Sequence, residues 1–314
     1  MDSIREALAK YGNTWNNEVP PALAKLYGPV QAKLSSKYDG KIEAETAIKY
    51  GSDARNRLDV YKPAEADKSM GPGRPVMVFI HGGGLVAGDN NMYANIGNYF
   101  TSNGFITCLV TYRLALQGGH HPNGAEDVAA ALQWIQANIS KHGGDPDKIV
   151  ALGQSAGGFH LATAMFLGKL DPNPKPILRG AVLLSAPFTT SISDPSRVQM
   201  LKEWFQTNDL FEINQRWAPA AIFRQQYFGS ATAPPRETLP CELLVMVGEA
   251  EADEILDGTF EFLSDYRKRF SKLPVLEVLK GHNHVSYTFG MGLDEPEYEA
   301  VGSRLVSFAK ENTA

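Results

Sequence analysis

The clearest chemical signal in the chain is Gly153-Gln154-Ser155-Ala156-Gly157, followed at once by Gly158. The apolar run KIVAL precedes it and HLATAMFLG follows, so Ser155 falls at a turn from a strand into a helix. This is the setting a G-x-S-x-G nucleophile elbow requires. A serine at such a turn sits in a strained backbone, and its neighbours two residues away must lack bulk so that strand and helix can approach. The helix N-terminus then adds favourable potential for a developing oxyanion. The alternative is a glycine-rich turn without function, and the strand–turn–helix context weighs against it. A second signal, His81-Gly82-Gly83-Gly84, directly follows the run PVMVFI. Glycines let backbone N–H groups approach a ligand without interference from Cβ, as an oxyanion hole demands. A flexible loop or a weak phosphate loop are the competing readings, but no G-x-x-x-x-G-K-[ST] pattern supports nucleotide binding.

These residues need a scaffold, and the hydrophobic pattern supplies one. Short, nearly unbroken apolar runs occur at 75–80, 105–112, 149–153, 181–186, 243–248 and 275–279. Such runs suit strands buried on both faces of a parallel sheet. Helical segments separate them: Val128, Leu132, Ile135 and Ile139 recur at three- and four-residue intervals, another helix follows Ser155, and others fit around 255–270 and 296–311. The alternation implies an α/β fold with a mostly parallel central sheet of about eight strands flanked by helices. Segments 41–50 and 57–62 alternate well enough to be a hairpin, so the sheet is expected to begin with an antiparallel edge. A polar, Gly/Pro-rich loop spans 64–75. Residues 1–38 read as short helices broken at Pro20-Pro21. Residues 189–240 exceed a simple crossover and are rich in aromatics: Trp204, Phe205, Phe211, Trp217, Phe223, Tyr227 and Phe228. They read as a helical cap folded over the sheet, with a surface helix pair packed on the body as the alternative. The chain is thus expected to be one domain, 1–314, with an N-terminal helical segment and a cap.

Composition narrows the class. The 314 residues are 43% hydrophobic and 21% charged, which excludes a disordered, collagenous or disulfide-framework chain. Thirty basic against 35 acidic residues give a net charge of −5, so a general nucleic-acid or anionic-membrane binder is not expected. Cys108 and Cys241 each lie in an apolar run and read as buried thiols in a reducing compartment. No signal-peptide core and no apolar stretch of membrane-spanning length occurs. A cytoplasmic protein is the expectation. No histidine group has the context of a metal site, so neither metal nor cofactor is expected.

The order HGGG, then GQSAG, resembles the α/β-hydrolases of the hormone-sensitive-lipase and carboxylesterase group. Tyr112-Arg113-Leu114-Ala115, Glu126-Asp127-Val128 and Gly143-Gly144-Asp145-Pro146 agree with it. The resemblance covers roughly 40–312, is strongest over 75–165 and loosens in the cap. It implies Ser155 as nucleophile and the N–H groups of Gly83, Gly84 and Ala156 as oxyanion donors. It places an acid just after LLVMVG, where Glu251 takes the position, with Glu for the usual Asp and Ala252 for the usual Pro; Asp253 stays open as the alternative. It selects His284, three residues after Gly281, as base, leaving His282 beside the site or exposed. His120, His121, His142 and His160 have no implied role.

The implied activity is hydrolysis of a small to medium apolar carboxylic ester through an acyl-enzyme. Transfer to an acceptor other than water, cyclisation, or hydrolysis of a lactone or thioester fits the same scaffold. A non-catalytic receptor is a further alternative, though serine, histidine and glycine loop are all present. A homodimer is compatible with the sequence, and nothing in it demands one.

Overall fold

Strands form where β-rich apolar residues run without interruption, and alternate residues then feed opposite faces. In β3 (Arg74–Ile80), Val76, Val78 and Ile80 join one core while Met77 and Phe79 join the other. The computed structural model describes residues 1–14, 16, 18–64, 73–172, 174–190, 195–229 and 234–314. Parts of the expected 64–75 loop and of the 189–240 segment therefore lie outside the described residues.

The strands are β1 (Ile42–Lys49), β2 (Arg57–Pro63), β3, β4 (Ile106–Val110), β5 (Gly144–Gln154), β6 (Gly180–Leu184), β7 (Glu242–Ala250) and β8 (Val275–Asn283). They build one eight-stranded sheet in the order β1-β2-β4-β3-β5-β6-β7-β8. β2 pairs antiparallel with both β1 and β4, and the other neighbours are parallel. The α/β class, the parallel body and the antiparallel edge follow the sequence expectation. The chain passes from β3 outward to β4 and returns to β5 on the other side of β3. That reversal is a topological switch point, where open α/β sheets bind ligands. Both glycine motifs leave the sheet there.

Eleven α-helices follow in chain order among the described residues: α1 (Asp2–Tyr11), α2 (Val19–Ser35), α3 (Ala94–Ser102), α4 (Asn123–Asn138), α5 (Ala156–Phe166), α6 (Pro195–Phe205), α7 (Leu210–Glu212), α8 (Pro219–Tyr227), α9 (Asp253–Phe270), α10 (Ser286–Gly290) and α11 (Pro296–Thr313). Helices α4, α5, α8 and α9 cover one face, and α1, α2, α3, α10 and α11 cover the other. Pro20 and Pro21 do not break a helix. They start the 17-residue α2, where a missing N–H costs nothing because first-turn N–H groups have no helical partner.

The aromatics of 189–240 divide into two groups. Trp204, Phe205 and Trp217 pack with Leu85, Ala156 and Phe159 above the elbow. Phe223 and Tyr227 join the main core beside Phe166 and Phe262. Phe211 is 70% exposed and Phe228 46%.

Candidate active site

The elbow is built by the absence of side chains. A Cβ on Gly157 would lie 2.1 Å from the Ile80 carbonyl oxygen, and one on Gly153 would lie 2.7 Å from that of Gly157. Only glycine lets β5 and α5 meet β3 this closely. Ser155 consequently adopts φ 51°, ψ −120°, a sparsely populated conformation that costs a residue with a side chain about 1–3 kcal/mol. Its N–H donates to the Leu184 carbonyl of β6 at 2.9 Å, which anchors the turn.

The sheet register brings the other groups to it. Ala250 of β7 pairs with Asn283 of β8, so the next residues, Glu251 and His284, leave adjacent strands side by side. Ser155 Oγ donates to His284 Nε2 at 2.8 Å, and His284 Nδ1 donates to Glu251 Oε1 at 2.7 Å. The carboxylate thereby selects the tautomer that leaves Nε2 as acceptor. Glu251 also accepts from the N–H groups of Ala252 (3.1 Å) and Gly248 (3.4 Å). Burial by itself would push this carboxyl up. The facing His284 imidazole and the Ala252 N–H outweigh burial and hold it below the usual carboxylate range. Asp253, the other acid left open by the sequence, is exposed at the start of α9.

Two further side chains join this arrangement and carry no signal of their own in the sequence. Gln154 Nε2 (3.1 Å) and Tyr287 Oη (2.5 Å) both donate to the His284 carbonyl. Gln154 is the first of the two variable residues of the elbow motif, and Tyr287 lies one turn past His284. Burial pushes the Tyr287 phenol well above its ordinary value, so it remains a donor. His282 is buried rather than exposed, with its ring between Ser286 Oγ (3.0 Å) and the Glu297 carbonyl (3.2 Å).

The HGGG segment leaves β3 directly against the elbow. A Cβ on Gly82 would stand 3.0 Å from Ser155 Cβ and 2.1 Å from Gln154 Oε1. Gly83 and Gly84 take φ 136° and 60°. The Gly83 carbonyl accepts from Val86 and Ala87 N–H, closing a tight turn. Among the described residues, the N–H groups of Gly83, Gly84 and Ala156 donate to no backbone carbonyl. His81 is not at the reacting centre. It is fully buried, stacks on Tyr112 at 4.6 Å, and burial lowers it to about 4. His160 packs against Tyr112 and Trp204, and burial lowers it to about 3. His121 lies against Phe205, and His142 pairs with Glu45 at 3.3 Å. Among the described residues no three His, Cys, Asp or Glu side chains are grouped to hold a metal. Cys108 is buried and Cys241 half-buried, both as free thiols.

A nucleophile elbow and an adjoining glycine loop at the switch point of this sheet define the α/β-hydrolase fold. The carboxylesterase family model matches residues 33–215, more than half of the chain, and the protein belongs to that family. Carboxylesterase 1C of Rattus norvegicus is 32% identical over 209 residues, 64% of this chain and 35% of the rat protein. Acylcarnitine hydrolase of Mus musculus is 36% identical over 137 residues, 41% of this chain and 23% of that protein. These matches span about a third or less of the relatives' own length. Among solved structures, a thermostable esterase from Pseudomonas putida superposes with a TM-score of 0.68 at 20% identity, covering 99% of this chain and 96% of that one. Esterase B from Lactobacillus rhamnosis, inhibited by a tributyrin phosphonate, gives 0.67 at 17% identity, covering 95% and 97%. At these identities the structures establish a shared fold.

Proposed function

We propose that this protein is a serine hydrolase of small to medium apolar carboxylic esters, working through an acyl-enzyme. The observation that carries the reading is the continuous relay Ser155 Oγ, His284 Nε2, His284 Nδ1, Glu251 Oε1, with both contacts shorter than 3 Å. In the first half-reaction Ser155 Oγ bonds to the ester carbonyl carbon while its proton passes to His284 Nε2. The carbonyl electron pair moves onto oxygen, where the N–H groups of Gly83, Gly84 and Ala156 receive it. Collapse expels the alkoxide, which takes the proton back from His284 and leaves as the alcohol. Water then repeats the sequence on the acyl-serine and releases the acid. Glu251 remains ionised throughout and stabilises the imidazolium.

Two observations support the substrate class. Leu85, Phe205 and Trp217 form an apolar wall beside Ala156, which favours an apolar acyl or alcohol chain at about 0.8 kcal/mol per buried CH₂. The curated relatives that the chain resembles include enzymes described as carboxylesterases.

The test is hydrolysis of p-nitrophenyl esters from acetyl to decanoyl by wild type and Ser155→Ala. We expect serine-dependent turnover, with kcat falling on the order of 10⁶-fold in the variant. A folded wild type that cleaves no ester and is not labelled at Ser155 by a fluorophosphonate would refute the reading. Labelling without turnover would instead direct the search to acyl acceptors other than water.

A further inference from the structure

The exposed glycines of the HGGG segment raise a mechanical question. Gly83 and Gly84 are exposed and lie at φ 136° and 60°, and within the turn Gly83 abuts Ala87, where a Cβ would lie 2.0 Å from the carbonyl oxygen. Hydrogen bonds from Val86 and Ala87 to the Gly83 carbonyl close the turn. The Leu85 carbonyl accepts from Ala115 N–H at 2.8 Å, which ties the middle of the turn to the segment after β4; its two ends are held at His81 and Gly88.

One guanidinium binds the outgoing end directly and reaches the incoming end through Tyr112. Arg55 lies in the connection between β1 and β2, 26 residues before His81, with its side chain 17% exposed. Its Nη2 donates to the Gly88 carbonyl at 2.8 Å, fixing the outgoing end. Its Nε donates to the Tyr112 carbonyl at 2.8 Å. Tyr112 Oη in turn donates to the His81 carbonyl at 2.7 Å, and its ring stacks on the His81 imidazole, fixing the incoming end. The third direction, Nη1, faces Asp89 Oδ2 at 3.4 Å. Gly88 is pressed against the start of the loop: a Cβ there would lie 2.4 Å from the Gly82 carbonyl oxygen and 2.5 Å from His81 Nδ1. Displacing Gly88 therefore displaces Gly82 and the peptide units after it. Among the described residues, the side chain of Arg57, two residues on, reaches the side chains of Asp89 and Asn90. Of the two, Arg55 bonds main-chain carbonyls, those of Gly88 and Tyr112, and reaches the incoming end of the turn through the Tyr112 side chain.

We propose that Arg55 is a positioning residue that aims the Gly83 and Gly84 N–H groups at the oxyanion. The inference rests on the oxyanion role proposed for those glycines. Arginine suits the task because its donors leave one plane in three fixed directions, which a lysine ammonium cannot reproduce.

The experiment compares wild type, Arg55→Lys and Arg55→Met by hydrogen exchange over residues 81–90 and by kinetics on p-nitrophenyl butyrate. Inhibition by a trifluoromethyl ketone, which forms a tetrahedral oxyanion on serine, is measured alongside. In both variants exchange over 81–90 should quicken at least tenfold while the strand amides stay unchanged. The kcat should fall about 10- to 100-fold, below the ~10²- to 10³-fold cost of losing a whole donor. KM should hold within twofold, and the inhibitor should weaken by the same factor as kcat. Unchanged exchange over 81–90, recovery of kcat by Arg55→Lys, or quickened exchange throughout the strands would overturn the proposal. If the wild type neither cleaves esters nor reacts with a fluorophosphonate, the hydrolase reading falls separately. Exchange then decides alone: a local rise in the variants supports the grip of Arg55 on the loop, and its absence refutes it.

Discussion

At the scale of single residues, the acid carries most of the information. Glu251 and Asp253 are two positions apart and chemically equivalent in a sequence. The β7/β8 register separates them: Glu251 follows the paired Ala250 and meets His284, while Asp253 has already turned out to solvent as α9 begins. Glutamate's extra methylene does not prevent a 2.7 Å contact with Nδ1. We expect Glu251→Gln to keep the fold and lose about 10³- to 10⁴-fold in kcat, because an amide N–H facing Nδ1 favours the wrong tautomer. Asp253→Asn should stay within twofold of wild type. Steady-state kinetics on the preferred p-nitrophenyl ester check both, and a severe loss in Asp253→Asn with little in Glu251→Gln would exchange their roles.

Among the elements, strand–turn–helix contacts decide where Ser155 stands. Gly157 and Gly84 are both glycines of recognisable motifs, yet they are glycine for different reasons. Gly157 has no room: its Cβ would stand 2.1 Å from one carbonyl oxygen and 2.6 Å from the next. Gly84 has open space around it and φ 60°, so only backbone strain opposes a side chain. Gly157→Ala should therefore destabilise the protein by about 3 kcal/mol, since backbone cannot yield as a side chain tip can. Gly84→Ala should cost about 1 kcal/mol. Urea unfolding of the two variants measures the difference, and equal midpoints would show that β3 and α5 are less tightly abutted than this geometry requires. The helices α6 and α8 teach the same lesson in packing. Both are aromatic, but Trp204 and Phe205 lie over the elbow while Phe223 and Tyr227 fill the main core.

For the molecule as a whole, burying neutral histidines ties stability to pH. Burial lowers His81 and His121 to about 4 and His160 to about 3. Above pH 6.5 these imidazoles are neutral in both the folded and unfolded chain and add no pH dependence. Below it the unfolded chain takes up protons that the folded one refuses, so stability falls as pH falls. The slope is at most about 1.4 kcal/mol per pH unit for each histidine. Between pH 7 and pH 5, His160 should account for about 2 kcal/mol of lost stability. Glu251 acts in the same direction at lower pH: its depressed carboxyl stabilises the fold above the usual carboxylate range and loses that contribution as pH drops through it. Urea unfolding of wild type and His160→Phe at pH 7, 6 and 5 is the check. The variant should lose less stability on acidification, and parallel curves would mean that His160 is protonated without penalty.

Much of this molecule is written in local patterns. Strand alternation, the two glycine motifs and the helix periodicities depend on neighbours in the chain, and the eight strands and the elbow follow from them. The antiparallel edge follows as well, because segments 41–50 and 57–62 alternate where the later strands are unbroken. Other features depend on which strands become neighbours. That Glu251 and not Asp253 meets His284 needed the pairing of Ala250 with Asn283. The contact of Gln154 with the His284 carbonyl needed residues 130 positions apart to meet. Arg55 bears no motif at all, and its place became visible only when the carbonyls of Gly88 and Tyr112 closed around it. Local patterns reflect steric and solvation preferences that each short segment satisfies alone. Side-chain hydrogen bonds between distant segments are directional and short, so only the assembled fold decides which donors reach which acceptors.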